Sequence, residues 1–117
     1  MAVPEASVIF NDWDIERSES FIFFNTVWSV RMAKKILIES PRSSVLINPK
    51  DWLGLIKIIN PSEKDSIDLT VPIILIRWCN GYLPIDGWHR LAKAVKIGIR
   101  LPAVKLNTSE SSLLRLS

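Results

Sequence analysis

The pattern of apolar and polar positions predicts alternating strands and helices over the second half of the chain. Residues 71–78 form an unbroken apolar run, which is typical of a strand buried on both faces. Asn80 and Gly81 follow it and predict a hairpin turn, because both residues tolerate a positive φ. Residues 83–85 are the predicted return strand, so this stretch contributes two antiparallel strands to a sheet.

A helix over residues 87–97 is predicted next. Its apolar residues recur at helical spacing and define one face, which consists of Leu91, Ala94, Val95 and Gly98. Gly98 ends the helix, because the position after a helix favours a left-handed φ. Pro102 leads into a further strand, predicted over residues 103–106. This order predicts the α+β class, with a small mixed sheet that is centred on residues 71–78 and flanked by helices.

The first half of the chain is predicted to contribute two more helices. Residues 26–39 form the first, with Asn25 or Thr26 as its cap. Asn48 and Pro49 begin the second, which runs to residue 59, because a capping side chain followed by proline is typical of a first helical turn. The shorter predicted segments are strands at 7–10 and 44–47, a strand or buried helix at 21–24, a polar linker at 62–69, and a helix at 109–116 that is capped by Ser109.

Composition limits the class of protein and its chemistry. The chain has 117 residues, of which 48% are hydrophobic, and we expect one globular domain over residues 1–117. A single cysteine and a single histidine exclude an internal disulfide and a metal site of several Cys or His ligands, so no metal-binding residues are predicted. The sequence shows neither a secretory leader nor a membrane-spanning run, which predicts a cytoplasmic location and no membrane partner.

The residues around Gly87 suit an anion. Gly87 lets the backbone pass close to a ligand, and the N–H groups of Trp88, His89 and Arg90 lie at the start of a helix, where negative charge is favoured. The guanidinium of Arg90 also matches a phosphate in shape. The alternative is purely structural, with Asp86 as the helix cap, Gly87 as a turn residue and Arg90 as a surface charge.

The same residues carry a family resemblance. The segment 85–94, IDGWHRLAKA, followed by Ile97–Gly98 and by LPAV at 101–104, resembles the signature of the ParB/sulfiredoxin superfamily, which includes the ParB-like nuclease domain. The resemblance covers about residues 44–107 and leaves 1–43 as an N-terminal extension. It implies the superfamily's α+β fold and a nucleotide triphosphate bound at the segment around Gly87.

The resemblance also implies which residues act. The phosphate-binding candidates are Gly87, Trp88, His89, Arg90 and Lys93, and the catalytic candidates are Asp86 and His89. The implied activities are NTP hydrolysis, phosphotransfer or nuclease action on an ATP- or CTP-type ligand, with Mg²⁺ accompanying the nucleotide. A second catalytic acid is not singled out among the remaining acids, which include Asp51, Glu63, Asp65 and Asp68.

The sequence leaves several roles open. Asp86 is interpreted as a helix cap, as a group that orients His89, or as a Mg²⁺ ligand. Trp88 occupies the position where sulfiredoxin has its catalytic cysteine, which speaks against sulfinic-acid repair. Its ring is interpreted either as stacking on a base or as packing beneath the helix.

A different class of function is the alternative. The net charge of +3 permits a nucleic-acid partner without requiring one, and Arg31, Lys34 and Lys35 form a basic cluster on the first predicted helix. Partition proteins of the superfamily carry a helix-turn-helix domain after this fold, which this sequence does not contain. The chain is therefore alternatively a non-catalytic module that binds nucleic acid, a protein partner or a second copy of itself, for example in a plasmid or phage process.

Overall fold

A computed structural model describes residues 20–23, 25–61 and 67–116, and these residues have an α+β fold. The predicted fold class is confirmed at that level. The elements are β1 (Ser20–Phe23), β2 (Thr26–Ser29), α1 (Val30–Glu39), β3 (Val45–Ile47), a 3-10 helix (Pro49–Trp52), α2 (Leu53–Ile59), β4 (Ile73–Trp78), β5 (Gly81–Asp86), α3 (Trp88–Ile97), β6 (Leu101–Lys105) and α4 (Thr108–Leu114). The strand predicted at residues 7–10 and most of the linker at 62–69 lie outside the described residues.

The main sheet has four strands in the order β3-β6-β4-β5 and is mixed, as predicted. Strand β6 runs antiparallel to β3 and parallel to β4, while β4 and β5 form an antiparallel hairpin. The first four residues of β4, Ile73–Ile76, are buried, which confirms the interpretation of the apolar run as an interior strand. Pro84 lies on the edge strand β5, where a missing N–H is tolerated.

The predicted first helix is wrong over its first turn. Thr26–Ser29 form β2, and α1 begins at Val30 with Ser29 as its cap, whose hydroxyl accepts a hydrogen bond from the Met32 amide at 3.0 Å. β-Branched and aromatic residues favour strands, and β2 pairs antiparallel with β1, burying Trp28. The run at 21–24 is thereby resolved, through Phe23, as a strand.

Several other boundaries differ from the prediction by a residue or two: β4 begins at Ile73 rather than at residue 71, and β6 begins at Leu101 rather than at residue 103. The hairpin turn consists of Cys79 and Asn80, both with positive φ, while Gly81 already pairs with Trp78 as the first residue of β5. This is the two-residue turn with positive φ at both positions that fits the twist of a hairpin. Helix α4 is capped by Asn107 rather than Ser109, because Asn107 and Glu110 form a reciprocal capping box.

An aromatic cluster ties the N-terminal hairpin to the main sheet. The ring of Phe21 stacks on Trp88 of α3 at 5.7 Å and on Trp28 of β2 at 6.1 Å. Trp78, at the end of β4, meets Trp28 and Phe23 edge-on. The described part of the predicted extension therefore shares one hydrophobic core with residues 44–107.

The tryptophans do not provide an exposed protein-binding surface within the described ranges. Trp28 and Trp88 are buried, and Trp52 and Trp78 are half-buried. Trp13 lies outside the described residues. In the same part of the chain, none of the helices has the length and apolar character needed to cross a bilayer.

Candidate anion-binding site at the start of helix α3

The end of strand β5 places the candidate residues. A β-bulge shifts the register between β4 and β5, so that Pro84 lies opposite Leu75 and Asp86 lies opposite Ile74. Ile85 is the extra residue. Bulges bend a strand and change the direction of the side chains that follow, and Asp86 is the last residue of β5 before the chain turns into α3.

Gly87 is required by its backbone conformation and by the close approach of β4. Its φ of 102° lies in the region that side chains rarely adopt, and an added Cβ would lie 2.8 Å from the Cβ of Ile73 and closer still to its Cγ2. Gly87 is also the N-cap of α3, so the helix begins without a capping side chain. The interpretation of Asp86 as the cap is therefore wrong.

The start of α3 offers backbone donors. The first intrahelical hydrogen bond of α3 runs from the Leu91 amide to the Gly87 carbonyl at 2.9 Å. The amides of Trp88, His89 and Arg90 precede it, and such amides have no acceptor within their own helix. Because α3 is ten residues long, its dipole adds a partial positive charge at this end.

Arg90 binds the protein itself rather than extending into solvent. Its Nη1 donates to the carbonyls of Val71 at 3.0 Å and Pro72 at 3.4 Å, and its Nη2 donates to Oδ2 of Asp86 at 3.1 Å. The side chain is only 14% exposed. Arg90 thus ties the first turn of α3 to the segment that enters β4, and the interpretation as a plain surface charge is wrong.

A second carboxylate lies close enough to feel the charge of Arg90. The side-chain and backbone hydrogen bonds that Asp68 accepts from Thr70 hold the pKa of Asp68 below its usual range, and the positive charge of Arg90 lowers it further. The sequence left Asp68 undistinguished from three other acids. The one local signal for it is the spacing of Asp68 and Thr70, which is typical of a turn closed by an aspartate side chain.

The other candidates lie on α3 in different surroundings. Trp88 is 7% exposed, and its ring stacks on Phe21, so packing beneath the helix is the confirmed alternative. Its indole Nε1 is buried and has no hydrogen-bond partner among the described residues. His89 and Lys93 are half-buried, and both have interaction partners. Trp88 can therefore offer a ligand its backbone amide but not its ring face.

The carboxylates near Arg90 suit a metal ion that binds together with a nucleotide. They suit a metal ion held by protein ligands alone less well. Within the described ranges, no group of three or more His, Cys, Asp or Glu side chains could hold a metal. Asp86 lies beside Arg90, and Asp68 is close enough to feel its charge. Mg²⁺ in nucleotide sites is commonly held by one or two carboxylates together with phosphate oxygens.

A separate cleft lies at the opposite end of α3. It has a volume of about 190 Å³ and lies between the start of the 3-10 helix and the end of α3, where its lining includes Asn48, Lys50, Val95, Gly98 and Arg100. Lys50 and Arg100 are exposed. This cleft is distinct from the residues that the sequence singled out.

Comparisons with protein-family models, with curated proteins and with solved structures gave no match for this chain. The resemblance to the ParB/sulfiredoxin superfamily therefore stays a prediction.

Proposed function

We propose that this chain is a nucleotide-binding domain of the ParB/sulfiredoxin type that holds the phosphate groups of an NTP at the start of helix α3. The observation that carries the proposal is a helix start without a capping side chain, at Gly87, directly beside the guanidinium of Arg90. Backbone amides at a helix start and an arginine fork are the donors that phosphates prefer.

In this proposal the amides of Trp88, His89 and Arg90 hold one phosphate. Gly87 permits close approach, because it has no side chain between the backbone and the ligand. Lys93, one turn further along α3, adds positive charge on the same helix. A cytoplasmic location belongs to the proposal, since the exposed Cys79 would stay reduced there.

Arg90 has to be shared between the protein and the ligand. Its three hydrogen bonds use part of the five N–H donors of a guanidinium, and the Asp86 carboxylate neutralises its charge. A phosphate would therefore compete with Asp86 for Arg90. Removing the charge of Asp86 should strengthen phosphate binding at this site.

Turnover is a further part of the proposal. When bound, Mg²⁺ would neutralise charge on the phosphates, with Asp86 as the carboxylate best placed to hold it. Asp86 and His89 are the candidates for proton transfer in NTP hydrolysis, phosphotransfer or nuclease action. Release of inorganic phosphate from an NTP by the wild type, and its loss in His89→Ala, would test the hydrolase activity.

Calorimetric titration with ATP, CTP and GTP, with and without Mg²⁺, tests the binding proposal. Arg90→Ala should weaken binding at least roughly tenfold, because a charge-assisted hydrogen bond contributes about 1.5–3 kcal/mol. It should also lower the melting temperature, because the contacts to Val71, Pro72 and Asp86 are lost. Asp86→Asn should bind the nucleotide without Mg²⁺ more tightly than the wild type.

These variants separate a ligand role from a purely structural role of Arg90. If Arg90→Ala and Asp86→Asn both lower the melting temperature while nucleotide affinity stays unchanged, the arginine serves the fold alone and the proposal fails. Lys57→Ala is the matched control, because Lys57 is an exposed cation near the end of α2. It should leave both affinity and melting temperature unchanged.

A basic cluster on α1 favours nucleic-acid binding as a second candidate function. Arg31, Lys34 and Lys35 lie on this helix, and Lys34 and Lys35 are exposed. Two of the acids that the structure describes, Asp86 and Glu110, are already paired with arginines. Exposed basic side chains attract polyanions.

Salt dependence tests the second candidate. Anisotropy of a labelled single-stranded oligonucleotide should show affinity that falls steeply between about 50 and 200 mM salt. Lys34→Ala and Lys35→Ala on α1 should each reduce the slope. No binding at low salt would remove this candidate and leave the nucleotide proposal or a role in binding a protein partner, including a second copy of the chain.

A further inference from the structure

We propose that a cluster of Arg77, Tyr82 and Lys105 binds the phosphodiester backbone of a single-stranded nucleic acid. The cluster lies on the main sheet and shares no residue with the site at the start of α3. The inference rests on the second candidate function, and it assigns that function to a defined place on the sheet.

Strand pairing brings the three residues together. Arg77 of β4 lies directly opposite Tyr82 of β5, and Lys105 of β6 pairs in register with Leu75, two residues before Arg77. Side chains two residues apart point to the same face of a strand, so the three side chains share one face of the sheet. Lys105 is exposed, and Arg77 and Tyr82 are half-buried.

Both cations contact the tyrosine ring. The guanidinium carbon of Arg77 lies 5.0 Å from the centroid of the Tyr82 ring, and Nζ of Lys105 lies 4.7 Å from it. Both distances fall within the roughly 6 Å at which a cation is attracted to the face of a ring. In this proposal the ring restricts two long side chains before a ligand binds, so that less rotamer freedom is lost on binding.

The two charges lack a carboxylate partner among the described residues. They lie within about 10 Å of each other, a distance comparable to the screening length at physiological salt, so their repulsion is only partly screened. Glu110 reaches this corner of the sheet through Arg42, which donates to the Lys105 carbonyl. Both oxygens of Glu110 are already bound by Arg42, so Glu110 does not pair with Arg77 or Lys105.

The spacing suits a chain of phosphates. Each strand of a nucleic acid carries one negative charge per about 3.4 Å of its axis. The two cations lie within about 10 Å of each other, so they can contact phosphates that are neighbours or a few steps apart. Both cations already contact the Tyr82 ring. The cluster is therefore expected to bind the backbone with little base preference.

Anisotropy of a labelled single-stranded oligonucleotide at about 50 mM salt tests the inference. The double variant Arg77→Gln/Lys105→Gln should lose at least tenfold in affinity, and its salt slope should fall by about 1.4, since each phosphate contact on a single strand contributes about 0.7. Lys50→Gln/Arg100→Gln is the matched control, because it removes one lysine and one arginine from the cleft at the other end of α3. It should lose less than half as much slope.

Tyrosine variants test whether the ring positions the cations. Tyr82→Leu keeps every charge but removes the ring, and it should weaken binding severalfold, while Tyr82→Phe keeps the ring and should bind like the wild type. Circular dichroism checks folding. The hydrogen bond from the Arg77 amide to Ser111 Oγ, at 3.0 Å, uses the backbone and survives the Arg77 substitution.

The outcomes separate this inference from the function on which it rests. If the wild type binds and the two double variants lose affinity equally, net charge alone drives binding and the cluster is refuted. Equal competition by poly-glutamate and by DNA of the same total charge would show that the cluster does not select a phosphodiester backbone, and would also refute the inference. If the wild type does not bind at all, both the inference and the nucleic-acid candidate fail, while the nucleotide proposal is unaffected.

Discussion

Substitution of Gly87 by alanine tests the geometry on which the candidate site depends. Gly87 combines a φ of 102° with a Cβ position that is already filled by Ile73 of β4. An alanine there must therefore adopt a disfavoured backbone conformation and push α3 away from the sheet. Both changes would displace the amides that are proposed to bind phosphate.

The expected cost follows from the two effects. A side chain in the left-handed region costs about 1–2 kcal/mol, and overpacking of a tight contact costs about 1–3 kcal/mol. Together they predict a loss of about 2–5 kcal/mol in the free energy of unfolding. With a urea dependence of about 2 kcal/mol per M for a small domain, the unfolding midpoint should fall by about 1 M or more.

Gly98→Ala is the matched control for urea unfolding. Gly98 ends the same helix with a φ of 76°, but nothing lies within 4 Å of its Cβ position. Its substitution should cost only the conformational term of about 1–2 kcal/mol. If Gly87→Ala costs no more than Gly98→Ala, the close approach to Ile73 is not what requires glycine, and the description of the site is wrong.

Two further predictions concern the C-terminal helix α4 and the aromatic cluster. Hydrogen bonds from Arg42 and Asn107 lower the pKa of Glu110 to about 2. The stabilisation by this ionised side chain is therefore complete above about pH 4.5 and is lost as the pH falls towards 2. Glu110→Gln should lower the melting temperature at pH 7, and the difference from the wild type should vanish near pH 2. Trp88→Phe keeps the stacking on Phe21 and removes a buried N–H without an acceptor, so it should cost less than about 1.5 kcal/mol, whereas Trp88→Ala should cost about 3–5 kcal/mol. Equal costs for the two Trp88 variants in urea unfolding would contradict this.

The sequence predicted the elements whose signals are local. Four such features, each predicted from a few neighbouring residues, are confirmed. They are the apolar run of β4, the apolar face of α3, the left-handed φ at Gly98, and the helix start at Asn48 and Pro49. Strand β2 was missed because Thr26–Ser29 suit either a helix start or a strand. Pairing with β1, and a bridge from Trp28 to Arg115 far along the chain, decide the matter.

The candidate site shows the same division between local and distant contacts. Asp86 and Arg90 are four residues apart in the sequence, so their pairing was open to prediction, although Asp86 ends β5 and does not lie in α3. The carbonyls of Val71 and Pro72 and the carboxylate of Asp68 come from a segment about twenty residues earlier. No local pattern connects that segment to α3, and only the paired strands bring the two together.

The most direct test of the central claim is to locate phosphate binding on the backbone by NMR. Inorganic triphosphate, and then ATP, CTP and GTP, would be titrated into the ¹⁵N-labelled chain while the amide shifts are followed. We expect the largest shifts on the amides of residues 87–90, and we expect them to disappear in Arg90→Ala while the rest of its spectrum remains that of a folded protein. Saturable shifts centred elsewhere, or none at millimolar nucleotide, would contradict the claim that the start of α3 binds phosphate.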